Sequence, residues 1–139
     1  MLVSLLMLAC NQNGVRTKIE KPRDGVFIHI THDHSNPHRV LMPLRMASMM
    51  AEDKDVLIYL DIDAVKLLTK DAADIEYKQF PSLKTSLQEL IERNVGIYAC
   101  PGCLAAAGID PEDLIEGVEL AQKDRFFDFT EGRIITLDY

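Results

Sequence analysis

The chain has 139 residues, 47% apolar and 27% charged, proportions of a globular domain that exclude a wholly disordered or fibrous chain. One domain of this length buries roughly two-thirds of the surface its unfolded chain would expose. Its net charge is −7, from 22 acidic against 15 basic residues, with 6% aromatics and no Trp. That argues against nucleic acid as a partner, which calls for a basic surface and, for single strands, stacking platforms.

In chain order the first signal is the apolar run Met1–Ala9, which ends at Cys10. It is too short to span a bilayer, which takes about 20 residues, but it suits the apolar core of an export signal with small Ala9 ahead of a cleavage point. The Leu-Met-Leu-Ala-Cys string resembles a bacterial lipoprotein signal, which implies lipidation of Cys10, although no Lys or Arg precedes the run. A buried first segment and a start codon read too far downstream are the alternatives. Residues 10–24 are polar, hold Gly14 and Pro22 and lack periodicity, so a linker is expected there. On this reading the domain works in the cell envelope or periplasm and meets membrane only through its lipid anchor. A cytoplasmic location is the alternative.

From Gly25 the pattern changes. Val26–Ile30, Val56–Ile62 and Val95–Ala99 are continuous apolar runs of strand length. Such runs mean strands covered on both faces, as in a parallel sheet between helices. Between the first two, Asn36 is placed to cap a helix over Pro37–Ala51. Leu41, Met42, Met46, Met49 and Met50 recur there at helical spacing, which reads as core packing, and Pro43 should kink the helix or delay its start. A second helix is expected over Ser82–Arg93, with Ser82 as cap and Leu83, Leu87, Leu90 and Ile91 as its apolar stripe; Asn94 and Gly96 end it. The intervening 63–81 is less regular, with a short helical piece over Val65–Lys70. A short helix starting at Asp110, a weak strand at Val118–Leu120, a helical Gln122–Phe129 and a last strand at Ile134–Asp138 complete the chain. This alternation predicts a single three-layer, doubly wound α/β domain over residues 25–139, with a mainly parallel sheet of about five strands.

Chemistry in such a sheet gathers at the carboxyl ends of the strands. After the first strand, His29, His32, His34 and His38 account for all four histidines of the chain. His29 lies within the strand and reads as a satisfied core histidine. After the third strand comes Cys100-Pro101-Gly102-Cys103. Pro101 keeps Cys100 out of helical geometry and favours it as the strand end or helix N-cap. Both sulfurs then lie at the amino end of a short helix that Gly108 closes. Free N–H groups and the helix dipole favour thiolate there. A thiolate attacks disulfides, accepts sulfur or binds metal, and the spacing alone does not choose among these.

Several segments resemble the DsrE/DsrF-like family of sulfur relay and sulfur oxidation proteins. They are Val26-Phe-Ile-His-Ile-Thr-His32, Asn36-Pro-His-Arg39, Tyr98-Ala-Cys-Pro-Gly-Cys-Leu-Ala-Ala-Ala-Gly108, Asp110-Pro-Glu-Asp-Leu-Ile115 and Arg133-Ile-Ile-Thr-Leu-Asp138. Together they run from about Gly25 to Tyr139. The resemblance implies a small α/β fold, and a sulfur-carrying cysteine at a central strand end, eight positions before a glycine. Cys100 stands in that relation to Gly108. It also implies homo- or hetero-oligomers, often trimeric or hexameric, of which a homo-oligomer is expected here, with no cofactor required.

The resulting expectation is a sulfur carrier, or a sulfurtransferase-type protein, that loads sulfur on Cys100 as a persulfide. Cys103 is placed to attack the inner sulfur, which would make the protein a thiol-dependent sulfur reductase. His32 or His34 would deprotonate Cys100 or stabilise its charge. The partners are sulfur donor and acceptor proteins, or small sulfur compounds. An alternative is a tetrahedral, zinc-like site built from His32, His34, Cys100 and Cys103. A third is a non-catalytic oligomeric module that binds a small ligand.

Overall fold

The computed structural model describes residues 21–139; the apolar run, Cys10 and the expected linker up to residue 20 lie outside the described residues. Elements follow in the order β1 (Gly25–Ile30), α1 (Pro37–Met50), β2 (Asp55–Leu60), a 3₁₀ helix (Ile62–Leu68), α2 (Leu83–Glu92), β3 (Gly96–Ala99), α3 (Pro101–Ala107), a 3₁₀ turn (Pro111–Asp113), β4 (Val118–Leu120), α4 (Arg125–Asp128) and β5 (Ile134–Asp138). The five strands form one sheet in the order β4-β3-β2-β1-β5, and every neighbouring pair is parallel. The α/β class and the parallel five-stranded sheet are those expected.

The helices start where the side chains dictate. Asn36 accepts the Arg39 N–H at the head of α1, and Ser82 accepts the Thr85 N–H at the head of α2, so each cap satisfies one otherwise unpaired donor. α1 runs unbroken through Pro43, which is buried, and starts at Pro37 without delay. Its core face is Val40, Leu41, Pro43, Leu44 and Ala47. The methionines expected in the core flank that stripe instead: Met50 packs against the core from its edge, and Met49 is 53% exposed. The cause is the 100° step of the helix, which turns residues 42, 46 and 49 away from the stripe centred on 40, 44 and 47.

Period-2 alternation then divides the sheet into two unlike faces. Val26, Ile28, Ile30, Val56, Ile58, Leu60, Ile97 and Ala99 all join the buried cluster with α1 and α2. The other face carries Phe27 and His29 of β1, and Tyr59 of β2. α4 covers part of it: Phe126 packs edge-on against Phe27 and Tyr59, with ring centroids 5.5 and 5.1 Å away. The third layer is therefore thin, and continuous apolar runs do not here mean two equally thick covers. Successive steps from β1 to β4 move one way along the sheet, and β5 returns to the other side of β1, so the topological switch lies between β1 and β5.

Two further differences are local. β2 ends at Leu60 rather than at Ile62: Asp61 is still extended and donates its N–H to Ile30 O at 3.2 Å, but Ile62 adopts a φ of +51° and breaks the strand. The helical piece expected at Val65–Lys70 is a 3₁₀ helix that begins at Ile62.

The sheet is pinned at its amino edge by Asp24, which accepts from Arg133 Nη2 at 2.6 Å and from Arg133 Nε and backbone N at 3.2 Å. The Arg133 guanidinium and N–H hold the Asp24 carboxyl at about 2, below its ordinary 3.8. A carboxylate depressed in the folded state contributes stability that is complete above its ordinary value and is lost as pH falls through the folded one. Asp24→Asn is therefore expected to lower the melting temperature at neutral pH. It should also flatten the loss of stability on acidification from 3.8 to about 2. Thermal melts of both proteins across that range measure it, and identical acid slopes would show that the clamp contributes nothing.

Candidate functional site

Cys100 leaves β3 and enters α3 in a single residue. Its N–H donates to Leu60 O at 3.0 Å, continuing the β2–β3 pairing. Its φ of −67° and ψ of 116° are extended, as the following Pro101 requires. As N-cap of α3 it turns its sulfur back over the first turn, where Sγ accepts the Cys103 N–H at 3.4 Å. α3 then closes at Gly108, whose φ of +68° is the left-handed conformation that glycine adopts most readily. Eight residues from thiol to glycine are thus one strand end, one two-turn helix and one C-terminal cap. Both thiols are free and half-buried.

The two sulfurs are electrostatically unlike. Partial burial pushes the Cys100 thiol up. Hydrogen bonds from the Tyr59 hydroxyl, the Cys103 thiol and the Cys103 and Gly102 amides outweigh this and leave it below the ordinary value. Cys103 moves the opposite way, chiefly because it donates its proton to Cys100; burial and the negative charges of Cys100 and Asp61 add to this, and the Ile62 N–H opposes it. So Cys100 ionises more readily than Cys103. That Ile62 amide is presented by the φ of +51°, an uncommon conformation for a β-branched residue, and the Ile62 side chain is left 59% exposed. A shallow cleft of about 370 Å³ opens on Cys103 between Ile62, Ala106 and Ala107, with Lys66 and Asp63 at its rim.

Tyr59 stands beside Cys100 because β2 and β3 pair Tyr59 with Tyr98, two residues before Cys100 on the same face. Burial, then its contact with Cys100, push the phenol well above its ordinary value, so it keeps its proton. On its other side the His29 ring stacks on it, with centroids 5.5 Å apart and planes 23° apart. His29 Nδ1 donates to Asp138 Oδ1 at 3.0 Å, and Nε2 comes within 2.9 Å of Asp61 Oδ1. That second contact is at ion-pair distance but lacks hydrogen-bond alignment, so both of its atoms are buried without a hydrogen-bond partner.

The histidines expected to serve the thiol lie elsewhere. His32 Nδ1 is hydrogen-bonded to the Thr31 hydroxyl at 3.0 Å, and His34 Nε2 donates to Ala73 O at 2.8 Å. Both follow β1, which β2 separates from β3, a lateral gap of about 10 Å at ordinary strand spacing. Neither is among the largest influences on the two thiols. The zinc-like set His32, His34, Cys100 and Cys103 is likewise not assembled, since no three His, Cys, Asp or Glu side chains among the described residues form a metal-holding group. What reaches Cys100 instead is a row that strand-by-strand reading passes over. Asp138, His29, Tyr59, Tyr98 and Glu119 are register partners across β5, β1, β2, β3 and β4. The available signal was alternation: His29 and Tyr59 each sit between residues of the opposite, helix-covered face.

A small α/β domain with a polarised thiol at the end of a parallel strand is thus the class that fold and site define. The chain belongs to the DsrE/DsrF-like family, which matches residues 24–136, and this supports a role of the sulfur-relay type. Among curated relatives it is 33% identical over 99 residues to the uncharacterized protein MK0008 of Methanopyrus kandleri, covering 70% of this chain and 79% of that protein. It is 26% identical over 108 residues to the uncharacterized protein MJ0760 of Methanocaldococcus jannaschii, covering 76% of this chain and 39% of that one. Two solved structures share the fold. The ychN protein of E. coli superposes with a TM-score of 0.66 at 21% identity, over 82% of this chain and 99% of that one. MTH1491 of Methanobacterium thermoautotrophicum, a protein of unknown function, gives 0.54 at 23%, over 83% and 99%.

The opposed shifts of the two thiols carry a direct consequence. Iodoacetamide at mildly acidic pH is expected to label Cys100 well ahead of Cys103, as read by peptide mass mapping. Equal labelling, or labelling that begins only near the ordinary thiol value of 9.0, would contradict the polarised pair.

Proposed function

We propose that the protein carries sulfane sulfur as a persulfide on Cys100, taking it from a donor persulfide and passing it to an acceptor thiol. The observation that supports this most is the place of the half-buried Cys100 at the end of β3 and the N-cap of α3, where its sulfur accepts the Cys103 N–H at 3.4 Å. In the loading step the Cys100 thiolate attacks the outer sulfur of R–S–SH. A Cys100–S bond forms, the donor S–S bond breaks, and R–S⁻ leaves with the electron pair. In the unloading step an acceptor thiolate attacks the outer sulfur of Cys100–S–SH, and Cys100 departs as thiolate. Donors stabilising that thiolate serve both steps, by populating the nucleophile at neutral pH and by improving the leaving group.

The place of both cysteines in the first turn of α3, with the Cys103 N–H donated to Cys100 Sγ, favours a second outcome at the same site. Cys103, once ionised, attacks Cys100 Sγ in Cys100–S–SH, forms the Cys100–Cys103 disulfide and expels HS⁻; an external thiol reductant then restores both thiols. The raised Cys103 thiol makes this the slower branch at neutral pH. The donors and acceptors are proteins or small sulfur compounds that present a persulfide or a thiol. Exposed Phe127, Ile134 and Ile135, at 68%, 43% and 61%, support self-association through the thinly covered face and the β5 edge, and the family resemblance suggests a trimer or hexamer. The apolar run ahead of Cys10 supports an envelope location by lipid anchor.

Intact mass spectrometry after incubation with a low-molecular-weight persulfide tests the carrier. The wild type is expected to gain one sulfur atom that an added thiol removes, and Cys100→Ser to gain none. An unchanged mass for the wild type, or equal gain by Cys100→Ser, would overturn the proposal.

A further inference from the structure

The amino ends of the strands, opposite to Cys100, hold a second polar site. A cavity of about 340 Å³ opens there against the starts of β2 and β3 and the end of α4, a volume within the range of small-ligand sites. Tyr98 separates it from an ordinary surface hollow. The residue is only 6% exposed, and its ring leans back along β3 over Gly96, away from Cys100. A Cβ at Gly96 would stand 2.8 Å from Tyr98 Cε2 and 3.5 Å from the hydroxyl oxygen, so any side chain at that position would displace the ring. Gly96 and Tyr98 both line the cavity, and the hydroxyl is thereby turned into it. Among the described residues that hydroxyl has no hydrogen-bond partner, whereas a phenol so deeply buried ordinarily finds one.

The mouth of the cavity is cationic. Arg23, Lys54 and Arg93 line it, against the carboxylates of Asp55 and Glu119, in a chain whose net charge is −7. Arg23 reaches across the start of β2: its Nη2 donates to Lys54 O at 2.6 Å, and its Nε stands 3.6 Å from Asp55 Oδ1. Asp55 is thus already answered, and a guanidinium carries further donors. Among the described residues Arg93 uses Nη1 alone, on Ser48 and Glu89. Lys54 pairs with the exposed Asp53. Glu119 is the register partner of Tyr98 on β4. Burial and that carboxylate push the Tyr98 phenol up, with Arg125 opposing, so the hydroxyl keeps its proton and can donate.

We propose that this cavity binds a compact oxyanion, its charge met by Arg23, Lys54 and Arg93 at the mouth and one of its oxygens accepting a hydrogen bond from the Tyr98 hydroxyl. A guanidinium fork matches the oxygens of such an anion. The anion is inorganic or is borne on a small organic body, for which Leu57 and Phe129 supply apolar wall. The assignment stands apart from the sulfur chemistry of Cys100 and holds whether or not that thiol carries sulfur.

Isotope-labelled full-length wild type, Tyr98→Phe and Arg23→Gln are titrated with inorganic phosphate and, separately, with glycerol phosphate, at an ionic strength held constant with sodium chloride. Amide NMR shifts of Asn94 and Gly96 are the readout. The wild type is expected to show saturable shifts with at least one probe. Tyr98→Phe keeps the ring, and its unliganded spectrum should match the wild type away from the cavity, but its midpoint should rise ~10-fold, the scale of one hydrogen bond to an ion. Arg23→Gln should raise the midpoint as well. Tighter saturation by the ester identifies an organic ligand, and saturation no tighter than by phosphate identifies the bare anion. The proposal is overturned if neither probe gives saturable shifts in the wild type, if sodium chloride alone reproduces them, or if Tyr98→Phe binds as tightly as the wild type.

Discussion

Cys100 belongs to two elements at once, and the site depends on that overlap. Its N–H completes the β2–β3 ladder at Leu60 O, while its sulfur caps α3 by accepting the Cys103 N–H. A strand-to-helix junction one residue long leaves no slack, so the sulfur stays where sheet register and helix entry intersect. Pro101 enforces the junction from one side by excluding helical geometry at Cys100. Gly108 ends the short helix from the other, in a backbone conformation costly to most residues. Between them the chain turns a small, weakly polar side chain into an acceptor for amides and side-chain donors at once.

The rest of the fold supplies that junction with unlike neighbours on its two sides. Toward α1 and α2 the sheet presents aliphatic side chains that pack and hold register. Toward the thin layer of α4 it presents aromatic and ionisable ones, which pack by edge contacts and hydrogen bonds. The division follows from the period of the strand: Ile28 and Ile30 fix β1 in the core, and the same spacing commits Phe27 and His29 to the reactive face. The switch between β1 and β5 then brings Asp138 beside His29. Strand order thus delivers a carboxylate, an imidazole and a phenol in a line that ends beside the thiol.

Much of this was legible in local sequence. The strand-length apolar runs, the Asn36 and Ser82 caps, and the Pro101 and Gly108 punctuation of α3 each act within a few residues, and each appears in the structure at its expected place. What was not legible depends on pairing between distant strands. His29 reads as a core histidine when β1 is taken alone; only the registers with β2 and β5 show it lying between Tyr59 and Asp138. His32 and His34 share the strand-end position of Cys100 along the chain direction, but not its place across the sheet, because β2 stands between. The turn at Ile62 was hidden for another reason: a β-branched residue gives no local signal for a positive φ, which tertiary context holds in place.

The central claim is that the junction makes Cys100, and neither Cys103 nor Cys10, the atom that receives sulfur. Heavy-isotope sulfane sulfur on a persulfide donor, followed by peptide-level mass mapping of the full chain under non-reducing conditions, tests it most directly. The account predicts the heavy sulfur on the peptide holding Cys100, lost from that position when a thiol acceptor is added. Heavy sulfur bound first at Cys103 or Cys10, with Cys100 unlabelled, would contradict it.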